Sequence, residues 1–275
     1  MSTATTSTAP EGGTGSGTIV ARHAGFVRDL TSVAIRALRQ IPREPEAVIP
    51  APIVPLFFFV VNVGALTNVA EAAGVSDFKA FQLPVAIIFA VTGISRASAL
   101  VSDINDGYFD RLLLTPMSRP ALLLGLMVAD LALVMALSVP VLIFGFLIGV
   151  EFATGIAGVL LFLILAGLWG LAFTGFPYAI ALKTGNPAAV NSSFLLFFPF
   201  AFLTTSFLPQ EALSGWLATV ATYNPVTYVL AALRSLLTGG WQLTPLLQGT
   251  AAILGVALVS HTLAFLALRG RVSRS

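Results

Sequence analysis

SDINDGYFDRLLLTPMSR, residues Ser102–Arg119, is a polar island set between two long apolar runs. It gathers Asp103, Asp106, Asp110, Arg111 and Arg119 into one short stretch. Asp103 or Asn105 can cap a short helix, Gly107 breaks any longer one, and Tyr108, Phe109, Leu112, Leu113 and Leu114 give the stretch an apolar side before Thr115 and Pro116 end it. A loop that merely joins two membrane helices needs only polarity and a turn. The additional apolar side predicts a short amphipathic element with a surface to dock.

The flanking runs set the class. Hydrophobic residues make up 57% of the 275-residue chain and charged residues 9%, against about 25% charged in a soluble domain. Mean hydropathy is +0.93. So few charges, gathered into a few loops, cannot cover a soluble surface, and the expected fold is an all-α integral membrane protein. The chain has no cysteine, which excludes disulfides, iron–sulfur clusters and thiolate zinc sites. His23 and His261 stand far apart and form no metal-ligand spacing, so no metal site is expected.

Residues 1–25 begin with a Ser-, Thr-, Gly- and Pro-rich run and read as a disordered tail; they lack the charged start and apolar core of a secretory signal, which leaves insertion to the first membrane helix. Residues 26–46 predict an amphipathic helix and a linker, with Phe26, Leu30, Val33, Ala37 and Ile41 on one side and Arg28, Arg36 and Arg39 near the anionic headgroups. A membrane domain over 47–271 follows. Its apolar runs predict six spans, at about 47–66, 81–101, 120–150, 155–182, 191–208 and 245–268. Pro50, Pro52 and Pro55 should kink or unwind the start of the first span, and the third should tilt or bend at Pro140. The fourth is rich in glycine and alanine suited to close helix contact. Residues 213–220 and 226–237 are apolar but too short to cross, and with Asn224-Pro225 between them they predict a re-entrant hairpin before the last span. A short tail, 272–275, closes the chain.

Six crossings put both termini on one side. Nearly all the basic residues then share that side, including Arg36, Arg96, Arg111, Lys183, Arg269 and Arg271, and only Lys79 and Arg234 fall opposite, so both termini and the island are expected in the cytoplasm of a cell-membrane protein. No GxxxxGK[ST] loop is present and no polar segment is long enough for a nucleotide-binding domain. Energy has to come from elsewhere. An ion gradient would use intramembrane ionisable groups, for which Arg96, Asp130 and His261 are the candidates, and Arg96 and Asp130 lie close enough in depth to be expected to pair. A separate ATPase docking on the polar loops is the other source, and a scaffold without transport is a third reading. Serine, threonine and the lone acids appear without an activating base, so enzymatic chemistry on this chain is not expected.

The run DINDGYFDRLLLTPMSRPALLLG at Asp103–Gly125, followed by NPVTYVLAALRSLLTGG at Asn224–Gly240, resembles the permeases of type-2 ABC exporters, especially the daunorubicin-resistance-like drug and lipid exporters. The likeness extends over nearly all of the chain after Phe26. It implies a membrane subunit with an elbow helix, six spans and a re-entrant extracellular hairpin, joined to a second permease, alike or related, and to two ATPase subunits that carry ATP and Mg²⁺; no cofactor is implied on this chain. Carried onto this sequence, the ATPase-coupling element is Asp103–Thr115, with Phe109, Leu112 and Leu113 as anchors in a groove of the ATPase, Asp106, Asp110 and Arg111 as polar contacts, and a smaller second contact at Lys183–Val190 that includes Asn186. The resemblance places the second and fifth spans of two permeases face to face. Those spans offer Phe89, Phe194, Phe198 and Phe202, with Thr205 near the outer end, as a path for a hydrophobic or amphipathic substrate such as a drug or lipid. Polysaccharide export, also found in the family, fits the apolar path less well, and an ion-gradient-driven carrier is the alternative outside the family.

Overall fold

The computed structural model describes residues 25–41, 50–92, 95–113 and 118–272, without the side chains of Asp110, Leu113 and Arg119. The expected tails therefore lie outside the described residues apart from Gly25 and Val272, as do most of the linker after the first helix and the Thr115-Pro116 end of the island.

Every regular element among the described residues is helical. α1 spans Phe26–Gln40, with Asp29 in its first turn and Arg39 in its last, the signs the helix dipole favours. It lies against the long helix α6, Arg119–Leu147. The approach is close because Gly125 has no side chain: a Cβ there would stand 2.7 Å from Cβ of Val33 and 2.9 Å from the Leu30 carbonyl oxygen.

α2, Ile53–Ala72, begins only after Pro50 and Pro52, and Pro55 falls in its first turn, where an amide hydrogen would have no intrahelical acceptor. The prolines thus delay the helix instead of kinking it. α3, Phe78–Thr92, is capped by Asp77, whose Oδ1 accepts from the Ala80 amide at 3.0 Å. Ser95 and Arg96 are not helical; α4 spans Ala97–Asn105, and Gly107, at φ +69°, turns the chain into α5, Tyr108–Leu113.

α7, Gly155–Thr184, is the central helix, with Phe162, Ala166, Trp169, Phe173, Tyr178 and Leu182 all buried. The expected span at 191–208 is instead a chain of short pieces: α8 at Pro187–Ser192, a 3₁₀ turn at Ser193–Leu196 and α9 at Phe197–Phe202. α10, Gly215–Tyr223, and α11, Pro225–Arg234, are joined at Asn224, and α11 runs into a π-type turn at Ser235–Gly239. α12, Leu243–Val272, then runs the length of α7.

Five stretches are long and apolar enough to cross a membrane: Ile53–Ala72, Phe78–Asn105, Pro120–Leu147, Gly155–Thr184 and Leu243–Val272. The protein is therefore an all-α, multi-pass membrane protein. Its two ends are distinct. One, the island end, is packed around Val33, Leu100, Ile104, Phe109, Leu122 and Tyr178; the opposite end is packed around α3, α7 and α11.

Candidate functional site

At the island end, α5 is held from behind. Arg36 of α1 donates through Nη2 to both carboxylate oxygens of Asp103, at 3.0 and 3.3 Å, and its guanidinium lies 4.1 Å from the centroid of the Tyr108 ring. Phe109, expected as an anchor in a partner's groove, is 4% exposed and packs into the island-end core. The short helix thus spends its aromatic side chain on its own protein. Arg111 on α5 and Asp106, just before the Gly107 turn, are exposed, and Leu112 is half-buried. Asp110 and Leu113 fall outside the described side chains.

α1 is fastened at three further points. The buried Asp29 carboxylate accepts from the Ser118 amide at 3.0 Å, capping the start of α6, while Val33 meets Gly125. Gln40, near the other end, accepts at Oε1 from Arg96 Nη2 at 3.0 Å. Arg96 and Asp130 do come together: the backbone N–H of Arg96 donates to Asp130 Oδ1 at 2.8 Å. Tyr178 of α7 donates its hydroxyl proton to the second oxygen, Oδ2, at 2.7 Å. A helix that restarts inside the bundle has amide hydrogens with no intrahelical acceptor, and a buried carboxylate supplies one.

Farther toward the opposite end, the phenylalanines form a ladder. The rings of Phe194 and Phe198 meet edge-on at 5.2 Å between centroids, those of Phe198 and Phe202 stack at 5.6 Å, and Phe89 approaches Phe202 edge-on at 5.9 Å. Phe198 and Phe202 are each 37% exposed, on a face that the described residues do not fully cover. At the island end of this ladder a cavity of about 220 Å³ is lined by Thr92, Ser95, Ser98, Asn191 and Ser193, with Ser98 Oγ donating to Asn191 Oδ1 at 3.0 Å. Thr205, expected along the path, is buried instead under Arg234, which donates to its hydroxyl at 3.1 Å and its carbonyl at 2.8 Å. The same guanidinium donates to the Phe81 carbonyl at 3.0 Å and lies 3.4 Å from that residue's ring centroid.

Lys183 is exposed in the last turn of α7 and borders a cleft with α12. Asn186 caps α8, its Oδ1 accepting from the Ala188 amide at 2.9 Å. Among the described residues no group of three or more His, Asp or Glu side chains could hold a metal ion. Arg36, Gln40, Tyr178 and Arg234 escaped the sequence reading as partners. Tyr178 carried the clearest signal, since a phenol in the middle of an apolar span has a hydroxyl that must find an acceptor.

The family profile described as ABC-2 type transporter matches residues 28–238. The daunorubicin resistance ABC transporter permease protein DrrB1 of Streptomyces coeruleorubidus is 26% identical over 210 residues, covering 75% of this chain and 72% of that protein. The probable doxorubicin resistance ABC transporter permease protein DrrC of Mycobacterium tuberculosis is 25% identical over 236 residues, or 85% of this chain and 86% of that one. The chain belongs to the ABC-2 type transporter family, as a membrane-embedded permease component. Among the sources of energy left open by the residues alone, family membership decides for the ATPase-coupled class.

Proposed function

We propose that this permease exports a hydrophobic or amphipathic compound, driven by a separate ATPase that docks on α5. The observation that carries the proposal is the way α5 is held. Arg36, Tyr108 and Phe109 fasten it to the body of the permease, while Arg111 on it and Asp106 just before it stand exposed. A push from an ATPase moves transmembrane helices only through an attachment stiff enough to transmit it, and α5 has that form. In this reading Asp106, Asp110 and Arg111 are the polar contacts, with Leu112 and Leu113 beside them. Asn186 and its neighbours provide the smaller second contact, with Lys183 at its edge. Asp103 and Phe109 position the element without touching the partner.

The phenylalanine ladder supports an apolar cargo, and the small cavity of hydroxyl and amide groups at its end suits the polar part of an amphipathic one. The relatives named for daunorubicin and doxorubicin resistance point the same way. The working assembly in this proposal is two permeases, alike or related, with two ATPase subunits that hold ATP and Mg²⁺. The short helices at 187–202 make the sixth crossing. Both termini and the island face the cytoplasm, which the clustering of basic residues at that end favours.

The test is co-expression with a candidate ATPase and purification through a tag on this chain. Asp106→Arg combined with Arg111→Glu, both exposed, should abolish copurification and vanadate-sensitive ATP hydrolysis while membrane insertion is retained. Copurification at the parent level would remove α5 from the coupling role.

A further inference from the structure

Gln82 lies on α3, within a membrane-crossing stretch, and is only 1% exposed. Its Oε1 has no hydrogen-bond partner among the described residues. Asp130 and Arg234, also buried in the membrane domain, each meet theirs. A buried amide oxygen without a donor costs stability, and an apolar side chain of similar volume would avoid that cost. What Gln82 does face is a box of rings. It lines a void of about 10 Å³ together with Phe58 and Asn62 of α2, Phe89 of its own helix, Phe202 of α9 and Phe207 just beyond. Phe58 and Phe89 stack at 6.1 Å between centroids, Phe89 meets Phe202 edge-on at 5.9 Å, and Phe207 lies 5.7 Å from Phe202. As it stands the void has room for one water molecule at most.

We infer that Gln82 determines specificity on the export path, its Oε1 accepting the proton of a hydroxyl carried by a flat aromatic cargo that opens this box. Three observations lead there. Oε1 is an acceptor without a donor, so the group that completes it is a donor, and in a dry aromatic surround such a bond discriminates strongly against a cargo that lacks it. The rings meet both stacked and edge-on, so an aromatic plate sliding between them replaces ring contacts with contacts of the same kind, which an aliphatic chain does not. Finally, Phe58 and Phe202 are 41% and 37% exposed, so these two rings can turn outward while Gln82 stays fixed behind them. Asn62, half-buried on the same box, adds a second carboxamide beside the first. The inference rests on the reading of the phenylalanine ladder as the cargo's path, and it adds the polar group that this path selects.

The full chain, purified in detergent, is dialysed to equilibrium against 2-naphthol or 2-methylnaphthalene, which have the same shape and differ by hydroxyl for methyl, with protein-free detergent as the reference. Gln82→Met keeps the length of the side chain and removes the carboxamide. A buried hydrogen bond to the cargo is worth about tenfold in affinity, so the ratio of naphthol to methylnaphthalene affinity should fall about tenfold in the variant, while the midpoint of a detergent unfolding titration stays level or rises. An unmoved ratio with both probes bound overturns this inference alone, and a lowered midpoint beside it marks Gln82 as a structural group bridged by water. Saturable binding of neither probe to the parent chain overturns the apolar-cargo reading together with the inference. Should Gln82→Met not fold, Ala86→Leu, which adds bulk to the box and keeps Gln82, decides: weaker naphthol binding supports the site, and unchanged binding overturns it.

Discussion

The two buried polar knots, one around Asp130 and one around Arg234, are built on opposite plans. Asp130 is an acceptor set among donors, taking the Arg96 amide and the Tyr178 hydroxyl. Arg234 is a donor set among acceptors, giving to the carbonyls of Phe81 and Thr205 and to the Thr205 hydroxyl. Asn224 repeats the second plan nearby, donating to the carbonyls of Phe200 and Leu203. The difference follows from which end of a helix is exposed inside the bundle. Near the break before α4 the orphan groups are amide hydrogens, and an acid answers them; after α9 they are carbonyls, and a guanidinium or an amide does. At these two irregularities the orphan groups thus match the chemical sign of the side chain that meets them.

That contrast can be broken by substitution. Asp130→Leu should have the largest effect, because it strands a buried amide hydrogen and a buried hydroxyl at once; about 4 kcal/mol is expected, read as loss of folded protein in a detergent unfolding titration. Arg96→Gln keeps the backbone amide that Asp130 accepts, so a cost equal to that of Asp130→Leu would show that the guanidinium, not the main chain, carries this knot. Arg234→Met should cost about 2–3 kcal/mol in the same titration, since carbonyls left without one donor tolerate it better than orphaned amide hydrogens. A larger loss than for Asp130→Leu would reverse the ranking and the reasoning behind it. Arg36→Gln should have the smallest effect on stability, about 0.5 kcal/mol, because its bridge to Asp103 is partly open to water. Its sharper readout is the ATPase complex, where a loosened α5 should lower coupled hydrolysis more than it lowers stability.

Much of the architecture was legible in the sequence because apolar length is a direct requirement of the bilayer. Five long helices fall on the apolar runs, and the turn between α4 and α5 falls at Gly107. What failed to show was orientation around each helix. Phe109 suits a partner's groove and its own core equally well by composition, and only the packing of α1, α4 and α6 around it turns it inward. Arg36 satisfies a headgroup or a carboxylate alike, and nothing in its own helix reveals that Asp103, far along the chain, lies within reach. Residues 191–208 were apolar enough for a full span, yet three short pieces formed there. Pro199 lies within that stretch, but no local signal distinguishes the 3₁₀ turn at Ser193–Leu196 from continuous helix. Thr205 looked like a path residue because its long-range partner, Arg234, was invisible to local pattern.

The contact of Gly175 with Ser260 on α12 divides α7 unequally, leaving about 13 Å of helix toward Thr184 and about 30 Å toward Gly155 at 1.5 Å per residue. A tilt of α7 about that contact would have its fulcrum close to the island. A small tilt imposed at its short arm swings the long arm a little more than twice as far, so that modest strokes at one face of the membrane become wide ones at the other.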